Sequence, residues 1–179
     1  MPITYTEEAT ASGSLNGVVF TDDTVVLTMS NVDTNNVTGG PLFVISGTAT
    51  LSVNGGSPVT FTDPIQVFSN ESVSVAGFWD AGFTTPIDIL DTSNAAFAAY
   101  DLKSFIGPIS GAPIISAISF PTTGGAFILT NVGPVGGPTS TFTASPAIPE
   151  PSTFALFGAA LAGLGVIRRR RNVLTNGRR

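Results

Sequence analysis

Residues 43–61 read FVISGTATLSVNGGSPVTF, and this stretch decides how the chain folds. Phe43, Ile45, Ala49, Leu51 and Val53 fall on one side of an extended backbone, and Ser46, Thr48, Thr50 and Ser52 on the other. That two-residue period belongs to a half-buried strand, not to a helix. Asn54-Gly55-Gly56 then supplies residues that tolerate positive φ, as a hairpin turn demands. The chain returns with Val59 and Phe61 inward and Thr60 and Thr62 outward. Working outward, similar strands are expected at residues 18–20, 24–29, 65–68, 72–79, 114–120, 126–130 and 140–144. Outward positions are mostly Thr and Ser, which wet a sheet face without charge. A turn of helix at residues 94–100 is the sole helical expectation in the body. Short strands spaced this way predict an all-β fold, an antiparallel β-sandwich or barrel-like domain.

Composition narrows the chemistry. The chain has 179 residues, 42% of them apolar and only 11% charged, with neither Cys nor His. Without these there is no disulfide framework, cysteine nucleophile, imidazole base or histidine metal ligand. A Ser-His-Asp triad is excluded outright. The net charge of −5 conceals a split: residues 1–150 hold all 12 acids against Lys103 alone, while six arginines lie in the last dozen residues. An acidic body repels phosphate, so a nucleic-acid partner is not expected.

Residues 154–167, FALFGAALAGLGVI, are 14 apolar or small residues without a charge. As a helix they span about 21 Å, short of a bilayer core, but snorkelling arginines or local thinning make up the difference. Gly158, Gly163 and Gly165 weaken a helix in water yet are common in membrane helices. Arg168, Arg169, Arg170 and Arg171 follow as an unbroken basic block. By the positive-inside rule that end stays in the cytoplasm and the body lies across the membrane. The competing reading is a terminal helix buried in a soluble intracellular domain, its arginines paired with acids.

Immediately before the apolar run stands Ile148-Pro149-Glu150-Pro151-Ser152. Pro-Glu-Pro, then Ser, then an apolar span, then an arginine cluster resembles the PEP-CTERM sorting signal of Gram-negative bacteria. The resemblance implies recognition by an exosortase, a membrane-embedded cysteine transpeptidase, through Pro149, Glu150 and Pro151. It makes residues 154–167 a transient membrane anchor and Arg168, Arg169, Arg170 and Arg171 the stop-transfer block. It places the precursor in the inner membrane and the product at the cell surface or outside the cell, in bacteria that make exopolysaccharide and biofilm. Two prolines keep the tag extended and out of any helix or sheet. Residues 133–138 (GPVGGP) and 144–148 read as linkers that hold it clear of the body. Members of this family carry an N-terminal secretion signal. The opening MPITYTEEAT, with Glu7 and Glu8 where a basic start and apolar core belong, does not read as one.

Other candidate chemistry is thinner. Asp80, Asp88, Asp91 and Asp101 form the densest acid cluster and are the candidate ligands for a hard cation such as Ca²⁺, although their spacing fits no D-x-D-x-D-G loop. Turn-capping is the plainer expectation, with Asp91 before Thr92, Ser93 and Asn94 reading as a cap. Trp79, Phe78 and Phe83 are candidates for an aromatic platform for sugar rings, or for core. Asn36 and Asn70 head N-x-[ST] triplets that have no use in a bacterium.

The expected layout is a β-rich exported domain at 1–145, a flexible linker carrying the Pro-Glu-Pro motif at 146–153, a single transmembrane helix at 154–167 and a basic cytoplasmic tail at 168–179. The expected function is that of a non-enzymatic envelope or extracellular-matrix protein without cofactor, its partners an exosortase, the membrane in passing and exopolysaccharide. The alternative is an exported polysaccharide-acting enzyme using paired carboxylates.

Overall fold

The computed structural model describes residues 1–133 and 140–147. The residues up to Ala147 form one compact unit, which is all-β and antiparallel. Its first strand, β1 (Pro2–Leu15), alternates strictly: Ile3, Tyr5, Glu7, Ala9, Ala11 and Gly13 are buried while their neighbours are not. Asn16 and Gly17 turn the chain with φ of 52° and 76°. This is the left-handed pair a two-residue hairpin requires. β2 (Val18–Asp33) then runs back along β1. The sequence pattern predicts two short strands here, at 18–20 and 24–29, and none at residues 2–9. In fact β2 is continuous through residues 18–33, with a positive φ at Asp22 absorbing the irregularity between them.

The remaining strands are β3 (Thr38–Gly39), β4 (Leu42–Gly47), β5 (Ala49–Val53), β6 (Val59–Thr60), β7 (Ile65–Asn70), β8 (Val75–Asp80), β9 (Ile87–Ser93), β10 (Ile106–Ile114), β11 (Phe120–Thr122), β12 (Gly125–Val132) and β13 (Ser140–Pro146). Hydrogen bonds join them in the order β3-β4-β7-β8-β9-β10-β13-β1-β2-β5-β6, with β12 beside the second half of β1 and β11 beside β12. The sheet curls into a half-barrel. Around the second half of β1 the bonding returns on itself. Thr62 N–H donates to the Pro121 carbonyl (3.0 Å) and Thr123 N–H to that of Thr60 (2.8 Å), so the strand end after β6 meets β11. The other limb, from β13 to β3, stays open. A 3-10 helix, Ala95–Ala99, packs against β7 and β8 of this limb, and Tyr100 and Leu102 after it are buried in the core.

The decisive stretch is split between the two limbs. β4 pairs with β7 and β5 with β2, the chain crossing at Gly47-Thr48 without losing its alternation. Ile45, Ala49 and Leu51 are buried, and Phe43, Val53 and Val59 pack against the core. The Asn54-Gly55 turn closes β5 onto β6 as expected, with Gly56 N–H on the Val53 carbonyl at 2.9 Å.

Two aromatic groups fill the interior. In the ring of strands Phe127 lies 6.3 Å from both Phe20 and Phe61, stacked on the first and edge-on to the second. Below the 3-10 helix, Phe142 meets Phe97 at 5.6 Å and Tyr100 at 6.0 Å, both edge-to-face. Each buried phenyl contributes about 1.5–3 kcal/mol by leaving water.

Several sequence expectations change. No strand covers residues 114–120: β10 ends at Ile114, and Ile118 N–H turns back to the Ser116 carbonyl at 2.9 Å. The 72–79 strand begins only at Val75, because residues 71–74 form the turn into it and Ser74 takes a φ of 56°. Asp91 caps nothing. It is buried inside β9, and the cap of the 3-10 helix is Asn94, whose Oδ1 accepts from Ala96 N–H at 2.9 Å. The linker read at 144–148 starts too early, since Ala144, Ser145 and Pro146 pair with Tyr5, Thr4 and Ile3. Of the 133–138 linker, Gly133 is buried and donates to the Thr10 carbonyl (2.7 Å), and the rest lies outside the described residues. The expected membrane helix at 154–167 also lies outside them.

Candidate functional site

The described domain ends in a strand with neighbours on both sides. β13 lies between β10 and β1, and its last bond joins Ala147 N–H to the Pro2 carbonyl at 3.2 Å. Pro149 follows two residues later in the sequence. Pro149, Glu150, Pro151, Arg168, Arg169, Arg170 and Arg171 themselves lie outside the described residues. No helix among the described residues is long and apolar enough to cross a membrane.

Of the four candidate cation ligands only Asp88 and Asp91 come together, and Asp80 and Asp101 lie apart from them. Asp80 ends β8, where its Oδ1 accepts from Gly82 N–H at 2.7 Å and Oδ2 has no partner. Burial raises its pKa, the Gly82 bond opposes this, and the Asp63 carboxylate adds to it. Asp101 lies beyond the 3-10 helix and accepts from Lys103 N–H at 2.9 Å, closing a local turn. Asp88 and Asp91 share β9, opposite Trp79 and Gly77 of β8 respectively. Among the described residues no group of three Asp, Glu, His or Cys side chains could hold a metal ion.

The aromatic trio is divided as well. Phe78 is fully buried in the core. Trp79, next along the strand, points to the opposite side and stacks on Phe68 with centroids 4.3 Å apart. Its Nε1–H donates to Gln66 Oε1 (2.8 Å), and Gln66 Nε2–H donates to Ser46 Oγ (3.1 Å). That row satisfies its own polar atoms. Phe83 is exposed in the loop after β8.

The structure instead assembles a polar cluster that sequence reading missed. Glu7 of β1 is completely buried, although its neighbours Tyr5 and Ala9 are ordinary core residues. Its Oε1 meets Thr92 Oγ1 of β9, which also meets Ser140 Oγ of β13 at 2.6 Å. Ser140 Oγ donates to the Asp91 backbone carbonyl at 3.1 Å. Glu7 Oε2 and both carboxylate oxygens of Asp91 have no partner. Burial holds the Glu7 carboxyl well above the usual carboxylate range, and the Thr92 bond only partly offsets this. Asp91 is raised by burial first, then by the charges of Asp88 and Glu7. One signal was available: Glu7 occupies an inward position of the ITYTEEATA alternation.

Fold and sequence together define an antiparallel β-domain followed in the chain by a Pro-Glu-Pro tripeptide, an apolar run and a basic block. The chain carries a PEP-CTERM protein-sorting motif: the family model of that description matches residues 147–171. The motif implies processing by an exosortase, with export and sorting to the cell surface. No curated protein and no solved structure matches the chain.

Proposed function

We propose that the chain is a non-enzymatic surface protein of a Gram-negative bacterium, its β-domain delivered as cargo and retained in the envelope or the exopolysaccharide matrix. The observation that carries this is the sorting motif at 147–171, which starts where the β-domain ends. In this reading Pro149-Glu150-Pro151 is the recognition tag. Residues 154–167 hold the precursor in the inner membrane, and Arg168, Arg169, Arg170 and Arg171 stop transfer. Lack of His and Cys supports a non-catalytic role, since most general-base and nucleophile chemistry needs one of them. The enzymatic alternative draws less support. Glu7 and Asp91 are sealed from solvent, whereas glycoside hydrolysis needs two carboxyls flanking a bound sugar.

The test is to express the chain with its native upstream region in a host with and without an exosortase, fractionate the cells and weigh the product. The expected result is a surface or extracellular form truncated near Pro149–Pro151, made only with the exosortase and lost in Glu150→Gln. A full-length cytosolic product in both hosts would overturn the reading.

A further inference from the structure

Three contacts run in line through the core: Glu7 Oε1 to Thr92 Oγ1, Thr92 Oγ1 to Ser140 Oγ, and Ser140 Oγ to the Asp91 carbonyl. Each needs one proton. The hydroxyls of Thr92 and Ser140 supply two, and a backbone carbonyl only accepts. With Glu7 ionised, one contact would set lone pair against lone pair in a site without water access. With Glu7 protonated the count closes. Glu7 donates to Thr92, Thr92 to Ser140, and Ser140 to the carbonyl.

From this count we propose that Glu7 is retained as a neutral acid and that its proton locks β1, β9 and β13 together, so the domain is tightest in acid and loosens as pH rises. The joined residues are far apart in sequence, and the chain of contacts ties β9 of the open limb to β1 and β13. The groups that face Glu7 hold the proton in place. From β9 comes the Asp91 carboxyl, itself beside Asp88. From β13 come the Ser140 hydroxyl and, directly opposite Glu7, the Phe142 ring; from β2, opposite on the other side, comes Leu27. The Tyr5 phenol on the same strand face is occupied by the Leu102 carbonyl. Lys103, the one basic side chain among the described residues, is exposed. An ionised Glu7 would therefore meet a second carboxyl and no cation.

The direction of the pH effect follows from linkage. Burial raises the folded-state pKa of Glu7 above its unfolded value, so the folded state binds more protons. The stabilisation is fully present below the unfolded value of about 4.3 and is lost as pH rises towards the folded value. In that window the unfolding constant grows about tenfold per pH unit for one such group.

The experiment uses the full chain in mild non-ionic detergent. Infrared spectra at about pH 7 are compared with those of Glu7→Gln, and unfolding is followed from about pH 5 to about pH 8. The expected results are a protonated-carboxyl band in the wild type that Glu7→Gln removes, and an unfolding constant whose rise with pH is smaller in Glu7→Gln. An ionised Glu7 at neutral pH, or equal pH slopes in the two proteins, would overturn the proposal. Should Glu7→Gln fail to fold, carboxyl carbon shifts of isotope-labelled wild type decide it. A Glu7 carboxyl that titrates in the ordinary glutamate range refutes the lock, and one that remains protonated at neutral pH supports it.

Discussion

At the scale of single residues, what a side chain touches matters more than its type. Phe142 packs against Tyr5, Phe97 and Tyr100, so Phe142→Ala should destabilise the domain by about 3–5 kcal/mol. Urea unfolding read through Trp79 fluorescence would measure this, and a loss under about 1 kcal/mol would mean that the aromatic group is not packed as described. Thr92→Val keeps the shape of the side chain but removes the hydroxyl between Glu7 and Ser140. It should cost about 1–3 kcal/mol, the penalty for leaving buried polar atoms unpaired. Asn94→Ala removes the cap of the 3-10 helix, and a loss of about 1 kcal/mol is expected in the same assay. Asp91 shows why residue type alone misleads. Asp followed by Thr, Ser and Asn is good capping chemistry, yet the cap falls to Asn94, because the β8 pairing holds Asp91 inside a strand opposite Gly77.

At the scale of elements, β1 is the axis of the sheet, bonded to β2 on one side and to β13 and β12 on the other. Its amides should be among the slowest to exchange with deuterium, and those of the two-residue edge strands β3 and β6 among the fastest. Equal rates would mean that the central pairing is not the most protected part of the domain. Glycine substitutions should rank by space. A Cβ on Gly17 meets nothing and costs only its left-handed backbone, about 1 kcal/mol, whereas one on Gly13 runs into the Ile128 carbonyl. Melting temperatures of Gly17→Ala and Gly13→Ala would give the order, with the second lower. These elements were unequally legible. The hairpin at residues 49–61 stood out because Leu, Val and Phe alternate with Thr and Ser around Asn-Gly-Gly. β1 did not, because its inward row mixes Ile and Tyr with Ala, Gly and a glutamate, a pattern with little hydropathy contrast. β10 was missed because IGPISGAPI shows glycine and proline where a strand is not expected.

At the scale of the whole molecule, the described domain is acidic and the arginines all lie beyond it. Replacing Arg168, Arg169, Arg170 and Arg171 by Ala should leave the folded β-domain unchanged and increase misoriented or fully translocated precursor, as protease accessibility in inverted vesicles would show. Normal topology without these arginines would remove their stop-transfer role. The sorting motif was readable from the sequence alone because a linear tag, an apolar run and a charge block act by order and composition, without long-range contacts. The all-β class was readable for a similar reason, since two-residue alternation is a local property of an extended backbone. The strand order, the closure of the ring at Thr60–Thr62 and residues 121–123, and the meeting of Glu7, Thr92 and Ser140 were decided only by the tertiary structure. Those contacts join residues as far apart in sequence as Ile3 and Pro146, and no local pattern records which strands a curled sheet brings together or which inward acid loses its water.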